Sequence, residues 1–214
     1  MTNSTVLKDS LAEATVSDEI QLGGDGVKSI LSAYSPQESI AEYIWNGFDA
    51  GATSIDISYE ENELGSLNSI AIVDNGSGIP QGLLSVKFKP FHESEKALNK
   101  TDSRHHSLVH GKNGVGRLTF FTFANTARWT TVYEKTHKLY RYDIKIESSD
   151  LHSYIGAHSP VSEIPYEQGT STKVTFEGIR ELSSGSIETT VKQYLLQEFC
   201  WFLELFKDKM FSIS

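Results

Sequence analysis

The segment Pro36–Ala52, PQESIAEYIWNGFDAGA, carries the strongest helix signal in the chain. Proline is well tolerated in the first turn of a helix, and Gly51 stands where such a helix is expected to end. At about 100° per residue, the apolar side chains fall on one face, which is formed by Ile40, Ile44 and Phe48. The pattern predicts a helix that packs this face against a core.

The opposite face of the same helix is polar and chemically mixed. Glu42, Asn46 and Asp49 fall within about 60° of one another on a helical wheel. A carboxylate can act as a general base, and an amide oxygen can bind a hard cation such as Mg²⁺. A solvent-facing stripe has the same pattern, so the helix alone leaves both interpretations open.

The rest of the chain mixes strands and helices in an order typical of an α+β fold. Period-two alternation and β-rich composition predict strands at Ser54–Glu60, Ser69–Val73, Ala127–Glu134, Lys138–Ile146 and Thr172–Phe176. Apolar periodicity predicts helices at Val27–Tyr34, Val115–Ala124 and Ser186–Phe206. The strands do not alternate strictly with helices, which favours a two-layer α+β architecture over a parallel sheet.

Composition excludes several classes of protein. The 214 residues include one cysteine, Cys200, which rules out a disulfide framework. No signal peptide and no apolar stretch of membrane-spanning length is evident, so we expect a cytoplasmic protein that does not contact a membrane. The net charge of −9 argues against direct nucleic-acid binding by this segment.

Charge is unevenly distributed along the chain. Residues 1–62 hold eleven acidic and two basic side chains, whereas Lys87–Arg117 holds seven basic and three acidic ones. A locally basic, glycine-ended segment in an acidic chain suggests a small anionic ligand. A solvated charged loop is the alternative.

Two glycine-rich segments border predicted elements. Asp74-Asn75-Gly76-Ser77-Gly78 comes directly after the second strand, where glycines would allow close approach to a flat ligand and Asp74 could accept a hydrogen bond from an amine. Gly111–Arg117, GKNGVGR, opens a predicted helix whose first N–H groups could bind phosphate. Taken singly, the first reads equally well as a tight turn, and the second matches neither a P-loop nor a dinucleotide fingerprint.

These motifs together resemble the superfamily of ATPases that contains gyrase, the large heat-shock chaperones, histidine kinases and MutL (GHKL). The resemblance covers about Gln37–Phe176 and adds a Gly169-Thr170 pair before the last predicted strand. It implies a Bergerat fold, an α/β sandwich with helices on one face of a mixed, mainly antiparallel sheet. It also implies ATP and Mg²⁺ as cofactors.

The resemblance also implies roles for individual residues. Glu42 corresponds to the general base, Asn46 to the Mg²⁺ ligand, and Asp74 to the acceptor of the adenine amino group. The other residues implied to contact nucleotide are Asp49, Gly76, Gly78, Gly111, Lys112, Asn113, Gly114, Val115, Gly116, Arg117 and Thr170. Arg117 could instead complete a salt bridge.

The position of Glu42 bears on the reaction. Histidine kinases commonly carry Asn at this point, whereas a carboxylate suits water activation, so ATP hydrolysis of the chaperone-like branch is favoured over phosphotransfer. The alternatives are a histidine-kinase-type catalytic domain and an ATP-dependent interaction module without hydrolysis. We expect slow turnover and a nucleotide-gated closure of a lid that drives formation of a homodimer.

Residue patterns and the resemblance together divide the chain. Residues 1–22 are polar and weakly patterned, which predicts an arm or short helix. The ATP-binding domain is predicted at 23–185, with a long loop of weak periodicity at about 80–112 as its lid, and an amphipathic pattern predicts a C-terminal helix at 186–214. We expect a following domain or a protein client beyond residue 214.

Overall fold

The computed structural model describes residues 15–19, 28–29, 31–88, 116–157, 164–207 and 211–214. In these residues the strands form one sheet in the order β1-β6-β5-β4-β7-β3-β2-β8. The strands are β1 Thr15–Glu19, β2 Ser54–Glu61, β3 Leu67–Asp74, β4 Thr126–Lys135, β5 Lys138–Glu147, β6 Asp150–Ala157, β7 Ser171–Glu177 and β8 Ser212–Ile213. Neighbouring strands are antiparallel except β2 and β8, which confirms the mixed, mainly antiparallel sheet.

The helices include α1 Pro36–Asp49, α2 Leu84–Phe88 and α3 Lys192–Leu205. A single turn at Ser184–Ser186 and a π-helical turn at Ile187–Val191 lead into α3. Shorter 3-10 helices lie at Gln81–Leu83, Gly116–Thr122 and Tyr166–Gln168. Among the described residues, none of these helices is long and apolar enough to cross a membrane.

A capping box fixes the start of α1. The Ser35 hydroxyl accepts a hydrogen bond from the Glu38 N–H at 3.4 Å, and the Glu38 carboxylate accepts one from the Ser35 N–H at 2.7 Å. These reciprocal bonds satisfy N–H groups that a helix start otherwise leaves unpaired. The carboxylate bonds hold the pKa of Glu38 below its ordinary value. The helix therefore begins at a defined residue, which sets the positions of its later polar side chains.

Helices cover one face of the sheet, and α1 lies within this layer. The Tyr43 ring packs edge-on against Phe176 of β7 at 4.7 Å, while Trp45 packs against Phe199 of α3 at 4.6 Å. The opposite face of the sheet is polar: Asp56 and Lys173, for example, point outward from β2 and β7 and are exposed. The two-layer α+β sandwich is confirmed.

The structure departs from the sequence predictions at several elements. Residues 15–19 form an edge strand paired with β6, so the prediction of an arm or short helix is wrong there. The helix predicted at Val115–Ala124 is a 3-10 helix over Gly116–Thr122. Residues 186–207 and 211–214 join the main fold, because α3 packs on α1 and β8 pairs with β2. Of the predicted lid, residues 89–112 lie outside the described ranges.

Candidate nucleotide-binding site

A cavity of about 320 Å³ lies between α1 and the sheet. Its rim includes the end of α2 and the start of the 3-10 helix at Gly116–Thr122. The lining residues are Glu42, Tyr43, Asn46, Asp49, Ala50, Asp74, Gly78, Ile79, Lys87, Phe88, Gly116, Arg117, Trp129, Thr172 and Val174. Residues from separate sequence motifs thus meet at one cavity.

The structure brings together most of the predicted site residues that it describes. Those that line the cavity are Glu42, Asn46, Asp49, Asp74, Gly78, Gly116 and Arg117. Gly76 lies next to the cavity, where its N–H donates to Asp74 Oδ1. Thr172 of β7 lines the cavity in place of the predicted Thr170. Gly111, Lys112, Asn113, Gly114 and Val115 lie outside the described residues.

Asp74 is a buried carboxylate at the end of β3. It pairs with Thr172 in the sheet register, and only 9% of its surface is exposed. Oδ1 accepts the Gly76 N–H at 2.8 Å. Burial raises the pKa of Asp74, and hydrogen bonds from the backbone of Gly76 and Thr172 partly oppose this rise. A carboxylate offers about four acceptor positions, so Asp74 can also accept an amino group of a ligand.

The loop after β3 is fastened to neighbouring strands. Ile79 N–H donates to Thr131 Oγ1 at 2.8 Å, and the Tyr142 hydroxyl donates to Ile79 O at 2.9 Å. Gly78 has φ = +70°, and a Cβ at this position would lie 2.1 Å from the Val132 carbonyl oxygen. The loop therefore requires glycine at residue 78, and hydrogen bonds tie it to the strands beside Asp74.

Replacing Gly78 with alanine is expected to lower the free energy of unfolding by at least about 2 kcal/mol, since left-handed backbone strain adds to a clash with backbone. Urea unfolding measures the loss. Gly51→Ala is the matched control, because Gly51 also has a positive φ of 79° but nothing lies within 4 Å of its Cβ position. We expect Gly51→Ala to cost about 1 kcal/mol. Equal losses in the two variants would contradict the close approach at Gly78.

The polar stripe of α1 forms one wall of the cavity. Glu42, Asn46 and Asp49 contribute carboxylate and amide oxygens, the donors that Mg²⁺ prefers. A Cβ on Gly116 would lie 2.5 Å from Glu42 Oε2, so this carboxylate rests directly against the start of the 3-10 helix. A potential general base, potential cation ligands and the start of a helix therefore lie close together on this wall.

The remaining wall is aromatic and basic. Phe88 packs edge-on against Trp129 at 5.4 Å, and the Arg117 guanidinium lies 5.4 Å from the Phe88 ring centre. Arg117 also donates to the Lys87 carbonyl oxygen. A pocket lined by apolar and aromatic side chains with a few convergent polar groups is typical of small-molecule and cofactor sites.

Sequence reasoning missed several lining residues, including Tyr43, Trp129 and Thr172. Each belongs to an apolar or alternating pattern that reads as ordinary core or strand. Thr172 could have been found only from the β3–β7 pairing, which places it opposite Asp74.

The chain belongs to the family described as "Histidine kinase-, DNA gyrase B-, and HSP90-like ATPase", whose model matches residues 34–176. This is a family of ATPase domains, and its general function is to bind ATP. The match confirms the resemblance inferred from the motifs.

Among curated proteins, the chain is similar to DNA mismatch repair protein MutL. It is 33% identical over 138 residues to MutL of Listeria innocua serovar 6a, covering 60% of this chain and 21% of that protein. It is 40% identical over 138 residues to MutL of Listeria monocytogenes serovar 1/2a, with the same coverage. Over 69 residues it is 38% identical to MutL of Borreliella afzelii, which is 32% of this chain and 11% of that protein.

The chain spans about a fifth of the length of its Listeria relatives, 21% in each case. These relatives are mismatch-repair proteins, so they favour a different branch of the family from the chaperone-like one expected from the sequence.

Proposed function

We propose that the chain binds ATP with Mg²⁺ in the cavity between α1 and the sheet and hydrolyses it slowly. The observation that carries the proposal is the convergence of Asp74, Glu42 and Asn46 on one cavity. The proposed acceptor for adenine, the proposed base and the proposed cation ligand come from two different elements. A solvent-facing stripe would not give this arrangement.

Each residue has a distinct role in the proposed reaction. Asp74 accepts a hydrogen bond from the adenine amino group, and Asn46 holds Mg²⁺ through its amide oxygen. When bound, Mg²⁺ offsets negative charge on the phosphates. Glu42 orients a water molecule and takes its proton as the water oxygen bonds to the γ-phosphorus. The bond from that phosphorus to the oxygen of ADP breaks, which releases ADP and phosphate.

The helix start and the basic wall supply the phosphate contacts in this proposal. Gly116 lies at the start of the 3-10 helix, and Arg117 follows it at the cavity rim. The predicted contacts from Gly111, Lys112, Asn113, Gly114 and Val115 remain part of the proposal, as does the support of adenine by Thr170. Thr172 is the better placed threonine, since it lines the cavity and pairs with Asp74.

We infer that nucleotide binding gates homodimerisation and that the chain acts in a mismatch-repair-type process. The similarity to DNA mismatch repair protein MutL supports the mismatch-repair-type process. The carboxylate of Glu42 favours hydrolysis over the kinase alternative. A non-hydrolysing interaction module differs from the proposed ATPase only in turnover.

Calorimetric titration with ATP and Mg²⁺, run beside a phosphate-release assay, tests the proposal. We expect binding of ATP, weaker binding of GTP, and turnover below about 1 s⁻¹, the low end of ordinary enzymes. Binding without phosphate release would favour the interaction module. Absence of adenine-nucleotide binding would contradict the proposal as a whole.

Replacing Asn46 with alanine is expected to remove the gain in ATP affinity that Mg²⁺ provides, because the cation loses its amide ligand. Calorimetry of ATP with and without Mg²⁺ measures that gain in the variant and in the wild type. Affinity for ATP in the absence of Mg²⁺ should change little, which serves as the internal control. An undiminished effect of Mg²⁺ would show that Asn46 is not the ligand.

A further inference from the structure

Tyr43 lies next to Glu42 on α1 and joins this helix to the 3-10 helix at Gly116–Thr122. Its hydroxyl donates to the Arg117 carbonyl oxygen at 2.8 Å and accepts from the Phe120 N–H at 3.3 Å. These two backbone groups are three residues apart, the pair that an i→i+3 hydrogen bond of a 3-10 helix joins. Tyr43 therefore fastens the first turn of the 3-10 helix to α1.

The Tyr43 side chain is well suited to this task. Only 4% of its surface is exposed, and its ring packs against Phe176 at 4.7 Å. Burial raises the pKa of the Tyr43 hydroxyl, so the group stays protonated and can donate a hydrogen bond to the carbonyl oxygen. A phenylalanine would preserve the ring packing but would lose both hydrogen bonds.

The Glu42 carboxylate contacts the start of the same 3-10 helix that the Tyr43 hydroxyl holds against α1. Residue 116 has no side chain, and a Cβ there would lie 2.5 Å from Glu42 Oε2. A second contact ties the same two helices, since Ser39 Oγ lies 2.8 Å from Thr122 Oγ1. The distance between α1 and the 3-10 helix thus sets the space in which the Glu42 carboxylate sits.

We propose that Tyr43 and Gly116 are positioning residues for Glu42: the Tyr43 hydroxyl holds the 3-10 helix against α1, and the bare Cα of Gly116 leaves room for the carboxylate. This inference rests on the proposed hydrolysis of ATP. It predicts that both residues influence proton abstraction through Glu42 more than they influence nucleotide affinity.

Tyr43→Phe is expected to lower kcat about 10- to 100-fold, since small misplacements of a catalytic group cost up to about 100-fold. The Kd values of Tyr43→Phe for ADP and for a non-hydrolysable ATP analogue should stay within about threefold of the wild-type values. The matched control is Tyr133→Phe, because Tyr133 is also buried and bonds the Gln81 backbone but does not line the cavity. We expect Tyr133→Phe to lower the melting temperature about as much as Tyr43→Phe does, and to leave kcat unchanged.

Gly116→Ala tests the same inference by another route. The atom nearest to the new methyl group would be Glu42 Oε2, at the end of a flexible side chain, so we expect the carboxylate to move and the fold to remain. kcat should fall about tenfold or more, again by misplacement of the base, with no loss of melting temperature. If Tyr43→Phe does not fold, the Gly116→Ala measurement decides whether the positioning role holds.

Parallel assays of Glu42→Gln separate two kinds of failure. If the wild type releases no phosphate, the proposed hydrolysis is wrong. If Glu42→Gln keeps wild-type turnover, Glu42 is not the base, and the positioning role falls with that assignment. If Glu42→Gln is inactive while Tyr43→Phe and Gly116→Ala keep kcat within about twofold, only the positioning role is overturned. Equal losses of kcat and affinity in Tyr43→Phe would also overturn it, because they indicate a general structural role.

Discussion

Asp74→Asn is expected to weaken ATP binding at least 100-fold. The substitution replaces one carboxylate oxygen with an NH₂ donor, which opposes the adenine amino group and removes a charge-assisted hydrogen bond. Losing a hydrogen bond to a charged group costs about 1.5–3 kcal/mol, and leaving a buried donor unsatisfied costs about 1–3 kcal/mol more. Together these terms come to about 2.5–6 kcal/mol, and nearly all of this range lies above the 2.7 kcal/mol or so that corresponds to 100-fold.

Isothermal calorimetry with ATP measures this loss, and Asp143→Asn is the matched control. Asp143 is exposed on the polar face of β5, where it accepts the Thr130 hydroxyl at 2.8 Å, and it lies outside the cavity lining. We expect the control to bind ATP as the wild type does. Near wild-type affinity in Asp74→Asn would remove Asp74 from the adenine site.

Burial of Asp74 also gives the wild type a pH dependence. Because burial raises the pKa of Asp74, protonation begins at a higher pH than for an exposed aspartate, whose pKa is about 3.9. The ionised acceptor is present above the raised pKa and is lost as pH falls through it, so affinity should decline on acidification. Adenosine is the suitable probe, since it has no phosphate to titrate. NMR titrations of wild type and Asp74→Asn should show the decline only in the wild type.

Glu42→Gln is expected to bind ATP within about threefold of the wild type and to lose about 100- to 10,000-fold in phosphate release. General acid–base catalysis contributes rate enhancements of that size. The amide preserves the shape of the side chain against Gly116 but cannot take a proton from water. Single-turnover release of labelled phosphate at saturating ATP measures the effect.

A carboxylate distant from the cavity provides the control for Glu42. Glu60 is exposed on β2, where it accepts the Ser69 hydroxyl at 3.3 Å, and Glu60→Gln should leave turnover unchanged. Retained turnover in Glu42→Gln would assign the base to another residue. Lost affinity would instead make Glu42 a binding residue.

Local patterns were sufficient to predict α1 and the strands of the central sheet. In α1, proline at the start, an apolar face and a following glycine agree, so the helix and its polar stripe could be placed from the sequence. β4 and β5 alternate clearly, and both were predicted as strands; they pair as an antiparallel hairpin. These elements are specified by interactions between residues close in the chain.

The elements that the sequence did not reveal depend on distant contacts. β1 is polar, TVSDE, and it becomes a strand because β6 offers an edge with which it pairs. Thr172 belongs to the site because β7 lies beside β3, a pairing between residues almost a hundred positions apart. The Tyr43 hydroxyl bonds are likewise invisible in a helix pattern that marks the residue only as apolar.

The three tryptophans of the chain occupy three different environments, which gives the protein built-in optical probes. Trp129 is 4% exposed and forms part of the cavity wall, Trp45 stacks among the aromatic rings of α3, and Trp201 is 74% exposed. Acrylamide should quench Trp201 first. With Trp201 replaced by phenylalanine, changes in emission on adding nucleotide would come from the cavity wall and the helix behind it, so occupancy could be followed in real time without a label.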